Sequence, residues 1–117
     1  MSGQDNDRRI DYIEFTGADV ARSKAFFAEV FGWKFTDYGD DYTSFEDGRM
    51  TGGFRKGEAA APAGSPLVVL YAADLQDTQA RVEAAGGAIT VPIFSFPGGR
   101  RFHFREPSGN ELAVWSK

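Results

Sequence analysis

Few side chains in this chain could carry acid–base or ligand chemistry, and they sit on segments that alternate like strands. Tyr12 and Glu14 fall on one face of the segment Ile10 to Thr16, because successive strand residues point to opposite sides. Glu14 reads either as a general base or ligand-orienting carboxylate with a raised pKa, or as a solvated carboxylate paired with an arginine. His103, the single histidine, alternates with Phe102 and Phe104 and so faces away from both. A lone imidazole is either an acid–base group or a hydrogen-bonded structural residue. If Glu14 and His103 approached each other, they would form a dyad for proton transfer. On the last apolar segment Glu111, Ala113 and Trp115 share a face. With Tyr12, Leu67, Val69 and Tyr71, Ala113 and Trp115 would line an aromatic, apolar cavity suited to a small organic molecule, or else fill a core or a dimer contact. Gly98-Gly99-Arg100-Arg101 lacks the helix N-terminus that an anion loop needs and reads as a hairpin turn.

These residues are positioned by elements with clear punctuation. Asp19 to Trp33 reads as a helix. Asp19 supplies an N-cap carboxylate, Gly32 a left-handed C-terminal residue, and Val20, Phe26, Phe27, Val30 and Phe31 an apolar stripe at helical spacing. The pattern returns 55 positions later at Asp74, with Ser23/Thr78, Ala25/Ala80, Phe27/Val82 and Gly32/Gly87 in step. A pattern repeated at a fixed offset predicts two copies of one unit. Around each helix the strands read as Ile10–Thr16, Trp33–Tyr38, Tyr42–Glu46 and Arg49–Arg55, then Pro66–Ala72, Ala88–Phe94, Arg100–Arg105 and Glu111–Ser116. Asp47-Gly48 is a hairpin signal, and Gly52-Gly53 predicts a bulge or a close backbone approach. The expected organisation is one α+β domain over residues 1–117. It comprises a βαβββ module at about 10–55, a small, polar linker at 56–65, and a second βαβββ module at about 66–116, with 1–9 unstructured. One helix per module would cover the outer face of its sheet, and the two sheets would form a U-shaped half-barrel cleft.

Composition narrows the functions. The chain has 117 residues, 42% hydrophobic and 26% charged, with eleven Phe, four Tyr and two Trp. A net charge of −4 argues against nucleic acid, whose phosphates need clustered Lys and Arg. It suits a neutral or cationic ligand. With no cysteine there is no disulfide, thiolate nucleophile or Cys-based metal site. No apolar run reaches membrane-spanning length and the first residues carry no secretory signal, so a cytoplasmic location and no membrane partner are expected.

The "D-x-x-R-S-x-x-F-F-x-x-V-F-G-W" run from Asp19 to Trp33, together with Asp74-Leu75, Gly86-Gly87 and Glu106-Pro107-Ser108-Gly109-Asn110, resembles the vicinal-oxygen-chelate superfamily of glyoxalases, bleomycin-resistance proteins, extradiol dioxygenases and fosfomycin-resistance enzymes. The likeness runs over about residues 10 to 116 and implies paired modules, a cleft and a homodimer. In the metal-dependent enzymes of that family a histidine stands seven positions before the helix-capping Asp. Here that is Tyr12 in the first module and Leu67 in the second. The family's glutamate, three residues after Gly-Asn, corresponds to Ala113, and the fourth ligand falls within Met50 to Phe54, which offers no His, Glu or Asp. A catalytic divalent site needs three or four converging N or O donors. The expectation is therefore no metal at the usual site and no cofactor. The protein would be a small-molecule binder of the drug- or metabolite-sequestering kind. The alternative is a lyase- or isomerase-like enzyme using Glu14 and His103, or relocated metal ligands.

Overall fold

A computed structural model describes residues 7–58 and 64–117. Ten elements follow in the order β1 (Tyr12–Gly17), α1 (Val20–Phe31), β2 (Lys34–Asp37), β3 (Tyr42–Glu46), β4 (Thr51–Lys56), β5 (Val68–Tyr71), α2 (Leu75–Ala84), β6 (Ala88–Phe96), β7 (Gly99–Arg105) and β8 (Glu111–Ser116). This is βαβββ twice, an α+β fold. The sheets are separate and open, with strand orders β1-β4-β3-β2 and β5-β8-β7-β6. In each, the last three strands run antiparallel and the fourth returns beside the first in parallel register. Of the N-terminal and linker segments, residues 1–6 and 59–63 lie outside the described residues. Lys56 belongs to β4 rather than to the linker.

The helix signals act locally as written. The Asp19 carboxylate accepts the Arg22 N–H at 3.0 Å, and Asp74 accepts the Asp77 N–H at 3.0 Å. Gly32 closes α1 at φ 71°. In the second module the left-handed residue is Gly86, at φ 99°, one position earlier than the repeat predicts. Gly87 answers a different need: a Cβ there would lie 2.6 Å from Val82 Cγ1 and 3.1 Å from the Phe26 ring. Gly52 and Gly53 stand in an unbroken ladder between β1 and β3, so they mark close approach and not a bulge. The irregularities fall instead in β6, between Ile89 and Phe94.

One core serves both modules. Phe27 is fully buried, stacks on Trp33 at 4.5 Å between ring centres and meets Phe54 at 5.3 Å. Phe26 and Phe31 reach across to Phe104 in β7, at 5.8 and 6.1 Å. Each such side chain contributes about 2–3 kcal/mol by leaving water. The Glu106–Asn110 turn fastens the same junction. Glu106 is buried, and its carboxylate accepts from Ser23 Oγ (2.7 Å), Ser108 N (3.0 Å), Asn110 N (3.2 Å) and Asn110 Nδ2 (2.7 Å). Asn110 Nδ2 also donates to Thr16 O at 3.0 Å, and Ser108 Oγ to Asp19 O at 2.9 Å, both across the module boundary. Among the described residues no helix is long and apolar enough to cross a membrane.

Candidate functional site

Packing α1 and α2 on one side of their sheets leaves the other faces open, and the sequence-predicted residues lie there. On the first sheet Tyr12 pairs in register with Thr51, Glu14 with Gly53, and Gly53 with Ser44 of β3. The Tyr42 hydroxyl donates to Glu14 Oε1 at 3.0 Å and is also hydrogen-bonded to the Tyr12 hydroxyl. Glu14 Oε2 lies 3.5 Å from Arg55 Nε, and Arg55 Nη2 donates to Thr16 Oγ1 at 3.3 Å. Glu14 is thus the arginine-paired carboxylate that sequence allowed, and also the end of a phenol chain. Burial, followed by the hydrogen bonds to Tyr12 and Glu14, pushes the Tyr42 phenol well above the ordinary tyrosine range. The chain fits because residue 53 is glycine: a Cβ would stand 2.2 Å from Tyr42 Oη and 2.7 Å from Tyr12 Oη. Beside it runs a groove of about 470 Å³ bordered by Tyr12, Lys34, Thr36, Tyr38, Tyr42, Ser44 and Thr51.

The second sheet presents a different surface. One register row runs Val69, Ala113, His103, Val91; the next runs Tyr71, Trp115, Arg101, Phe94. Tyr71 and Trp115 meet edge to face at 5.1 Å. The Arg101 guanidinium lies over Phe94 and Phe96, 5.5 and 5.8 Å from their ring centres, a cation–π arrangement. His103 Nδ1 is 3.6 Å from Glu111 Oε2, too long for a hydrogen bond, and that oxygen accepts from Thr90 Oγ1 at 2.9 Å. His103 Nε2 is buried with no hydrogen-bonding partner among the described residues. Leu67 precedes β5 and is 36% exposed, whereas Ala113 is wholly buried.

Some of the predicted residues come together and some do not. Val69, Tyr71 and Trp115 border a cavity of about 520 Å³ between the modules, whose remaining wall includes Ile13, Phe15, Phe31, Trp33, Phe45 and Leu70. Tyr12 borders the separate groove on the first sheet. Glu14 and His103 belong to different sheets, with Glu14 held by Tyr42 and Arg55 and His103 beside Glu111, so no dyad forms within the chain. Tyr42, Arg55 and Arg101 were not legible as site residues from sequence. Tyr42 meets its partners 28 and 30 positions away through a register that only the folded sheet defines. At the positions where the resemblance would place metal ligands stand Tyr12, Leu67 and Ala113. Tyr12 is engaged by Tyr42, while Leu67 and Ala113 are hydrocarbon. No group of three His, Cys, Asp or Glu side chains converges among the described residues. This donor set does not fit a divalent ion at the usual position.

Comparison with known proteins agrees with this architecture. Residues 9–114 match the family model of the Glyoxalase/Bleomycin resistance protein/Dioxygenase superfamily, and the chain belongs to that superfamily. The anthracycline biosynthesis protein DnrV of Streptomyces peucetius is 30% identical over 91% of this chain, which spans about half (46%) of that relative's length. Among solved structures, the fosfomycin resistance protein FosX from Listeria monocytogenes, complexed with Mn(II), superposes with a TM-score of 0.81 at 13% identity, covering 93% of this chain and 90% of that one. A glyoxalase-related enzyme from Fulvimarina pelagi gives 0.79 at 19% identity, covering 94% and 88%. At these identities the structural likenesses establish the fold alone.

Proposed function

As a member of this superfamily, the chain is, we propose, a binder of small planar aromatic molecules that works without a metal at the family's usual position. One observation carries the reading: the cavity of about 520 Å³ between the modules, walled by Trp115, Tyr71, Val69 and the apolar side chains of β1, β3 and β5. Its size lies within the range of small-molecule sites, and its wall is mainly apolar and aromatic with Asp47 and Arg49 as its charged members, the mixture such sites use. Tyr71 and Val69 remain 54% and 41% exposed, surface that a ligand or a second copy would cover. The kinship with DnrV, named for anthracycline biosynthesis, favours a polycyclic aromatic metabolite. In this reading the protein is a cytoplasmic homodimer in which Val69, Tyr71 and Trp115 line the cleft, and it sequesters or presents its ligand.

The test is a titration with a tetracyclic hydroxyanthraquinone, followed by tryptophan fluorescence and thermal unfolding. Trp115 borders the cavity, so saturable quenching is expected. At 100 times the Kd the ligand adds about 2.7 kcal/mol of stability. Absence of both effects across a panel of planar aromatics would reject the reading.

A second reading, acid–base turnover of such a ligand, is favoured by His103, whose buried Nε2 lacks a partner beside Glu111. Product formation that is lost in His103→Gln while binding persists would select it.

A further inference from the structure

Building on the aromatic-ligand reading, we propose that the groove on the open face of the first sheet recognises a phenolic hydroxyl, with Tyr12 Oη as the acceptor. The direction of a hydrogen-bond chain carries this assignment. A carboxylate only accepts, so the proton shared by Tyr42 and Glu14 Oε1 at 3.0 Å is the single proton of the Tyr42 phenol. The bond joining the two phenols therefore uses the proton of Tyr12. With its one donor committed, Tyr12 faces the groove as an acceptor, and donation toward a carboxylate-terminated chain makes its oxygen a stronger one.

The direction is built in. Arg55 holds the far oxygen of Glu14 at 3.5 Å and is itself tied to Thr16, so the carboxylate end of the chain is fixed. The suppressed acidity of Tyr42 keeps its proton in place across the neutral range. Gly53 provides the space in which the two hydroxyls meet. A group arriving at Tyr12 must bring a hydrogen: a hydroxyl fits, whereas an ether or ketone oxygen meets lone pairs with lone pairs. The rings of Tyr12, Tyr38 and Tyr42 border the groove, which selects an aromatic hydroxyl over an aliphatic one.

Calorimetric titration of the purified protein with 2-naphthol and with its methyl ether, at neutral pH where the naphthol keeps its proton, tests this directly. Wild type is expected to bind the naphthol about tenfold more tightly than the ether, since an unmatched polar pair costs about that factor. Tyr12→Phe is expected to abolish the preference. Tyr42→Phe frees the Tyr12 proton, lets Tyr12 donate to the ether, and is expected to bring the two affinities within about twofold. Each variant removes one oxygen from an open sheet face, and its retained affinity for the ether reports that it has folded. Equal affinity of wild type for both probes, or a preference that survives Tyr12→Phe, overturns the assignment and leaves aromatic binding standing. Failure of wild type to bind either probe also overturns the assignment, while the aromatic-ligand reading falls only if the hydroxyanthraquinone titration fails as well.

Discussion

Replacing Glu106 by glutamine removes one charge and almost no volume from the junction of the two modules. The carboxylate is 2% exposed, pairs with no cation among the described residues, and accepts four hydrogen bonds, two at each oxygen. In Glu106→Gln one oxygen becomes an NH2 group. If it faces Asn110, it opposes the Asn110 N–H and a side-chain amide whose donor is also needed by Thr16 O. If it faces Ser23, the serine hydroxyl can turn and accept, but the Ser108 N–H loses its acceptor. The second orientation is the cheaper one, and it still forfeits a charge-assisted bond and strands a part-buried donor. That combination costs about 2–3 kcal/mol. For a domain of this length the thermal midpoint should fall by about 10 °C. Urea denaturation with the slope held common to both proteins measures the free energy directly. Ser23→Ala, which removes the hydroxyl that donates to Glu106 at 2.7 Å and lies 2.9 Å from Ser108 Oγ, should cost about 1–2 kcal/mol. A Glu106→Gln variant as stable as wild type would refute the view that this turn is the clasp between the modules.

The adjacent glycines of β4 should separate cleanly. A Cβ at Gly52 would lie 2.1 Å from the Ile13 carbonyl oxygen and 2.4 Å from the Phe45 ring, so Gly52→Ala should cost about 3 kcal/mol in chemical denaturation. At Gly53 the obstacles are the outer ends of two tyrosines, Tyr42 Oη and Cζ and Tyr12 Oη, which can swing aside, so Gly53→Ala should cost about 1 kcal/mol while abolishing the phenol preference. The Tyr42 phenol titrates above its unfolded value, so its stabilisation is complete below the ordinary phenol range and is lost as pH rises through the raised value. Tyr42→Phe should accordingly flatten the alkaline decline in stability, and in wild type one tyrosinate should appear later than the rest in an absorbance titration. Trp115→Ala, which removes the ring packed against Tyr71 at the cavity, should weaken aromatic binding about tenfold in a calorimetric titration.

Local signals in the chain proved readable, and long-range register did not. Asp19 and Asp74 declare their caps through residues three positions on, and Phe27 and Val82 occupy equivalent, fully buried places in the repeat. The offset misses at Gly32 and Gly87 because α2 ends earlier than α1 in the repeat, which moves the left-handed residue to Gly86. Ser23 and Thr78 match in the repeat yet do different work. Thr78 bonds back to Asp74 O within its own helix, whereas Ser23 reaches Glu106, 83 positions away. The phenol chain was half visible: alternation placed Tyr12 beside Glu14, and Gly52-Gly53 announced a close approach. What approaches Gly53 is decided by the pairing of β3 with β4, which brings Tyr42 over it and no local pattern encodes. Arg101 was hidden likewise, since its rings come from β6 across an irregular ladder.

The central claim is binding of an aromatic small molecule without a metal at the family's usual position. It is tested most directly by one calorimetric titration of a tetracyclic hydroxyanthraquinone into protein stripped with a strong chelator, run beside the same titration after adding back Mn(II), Zn(II) or Ni(II). Saturable binding with the same affinity in every case is the predicted result. Binding that appears only when a divalent ion is restored would contradict it, as would no binding in any of them.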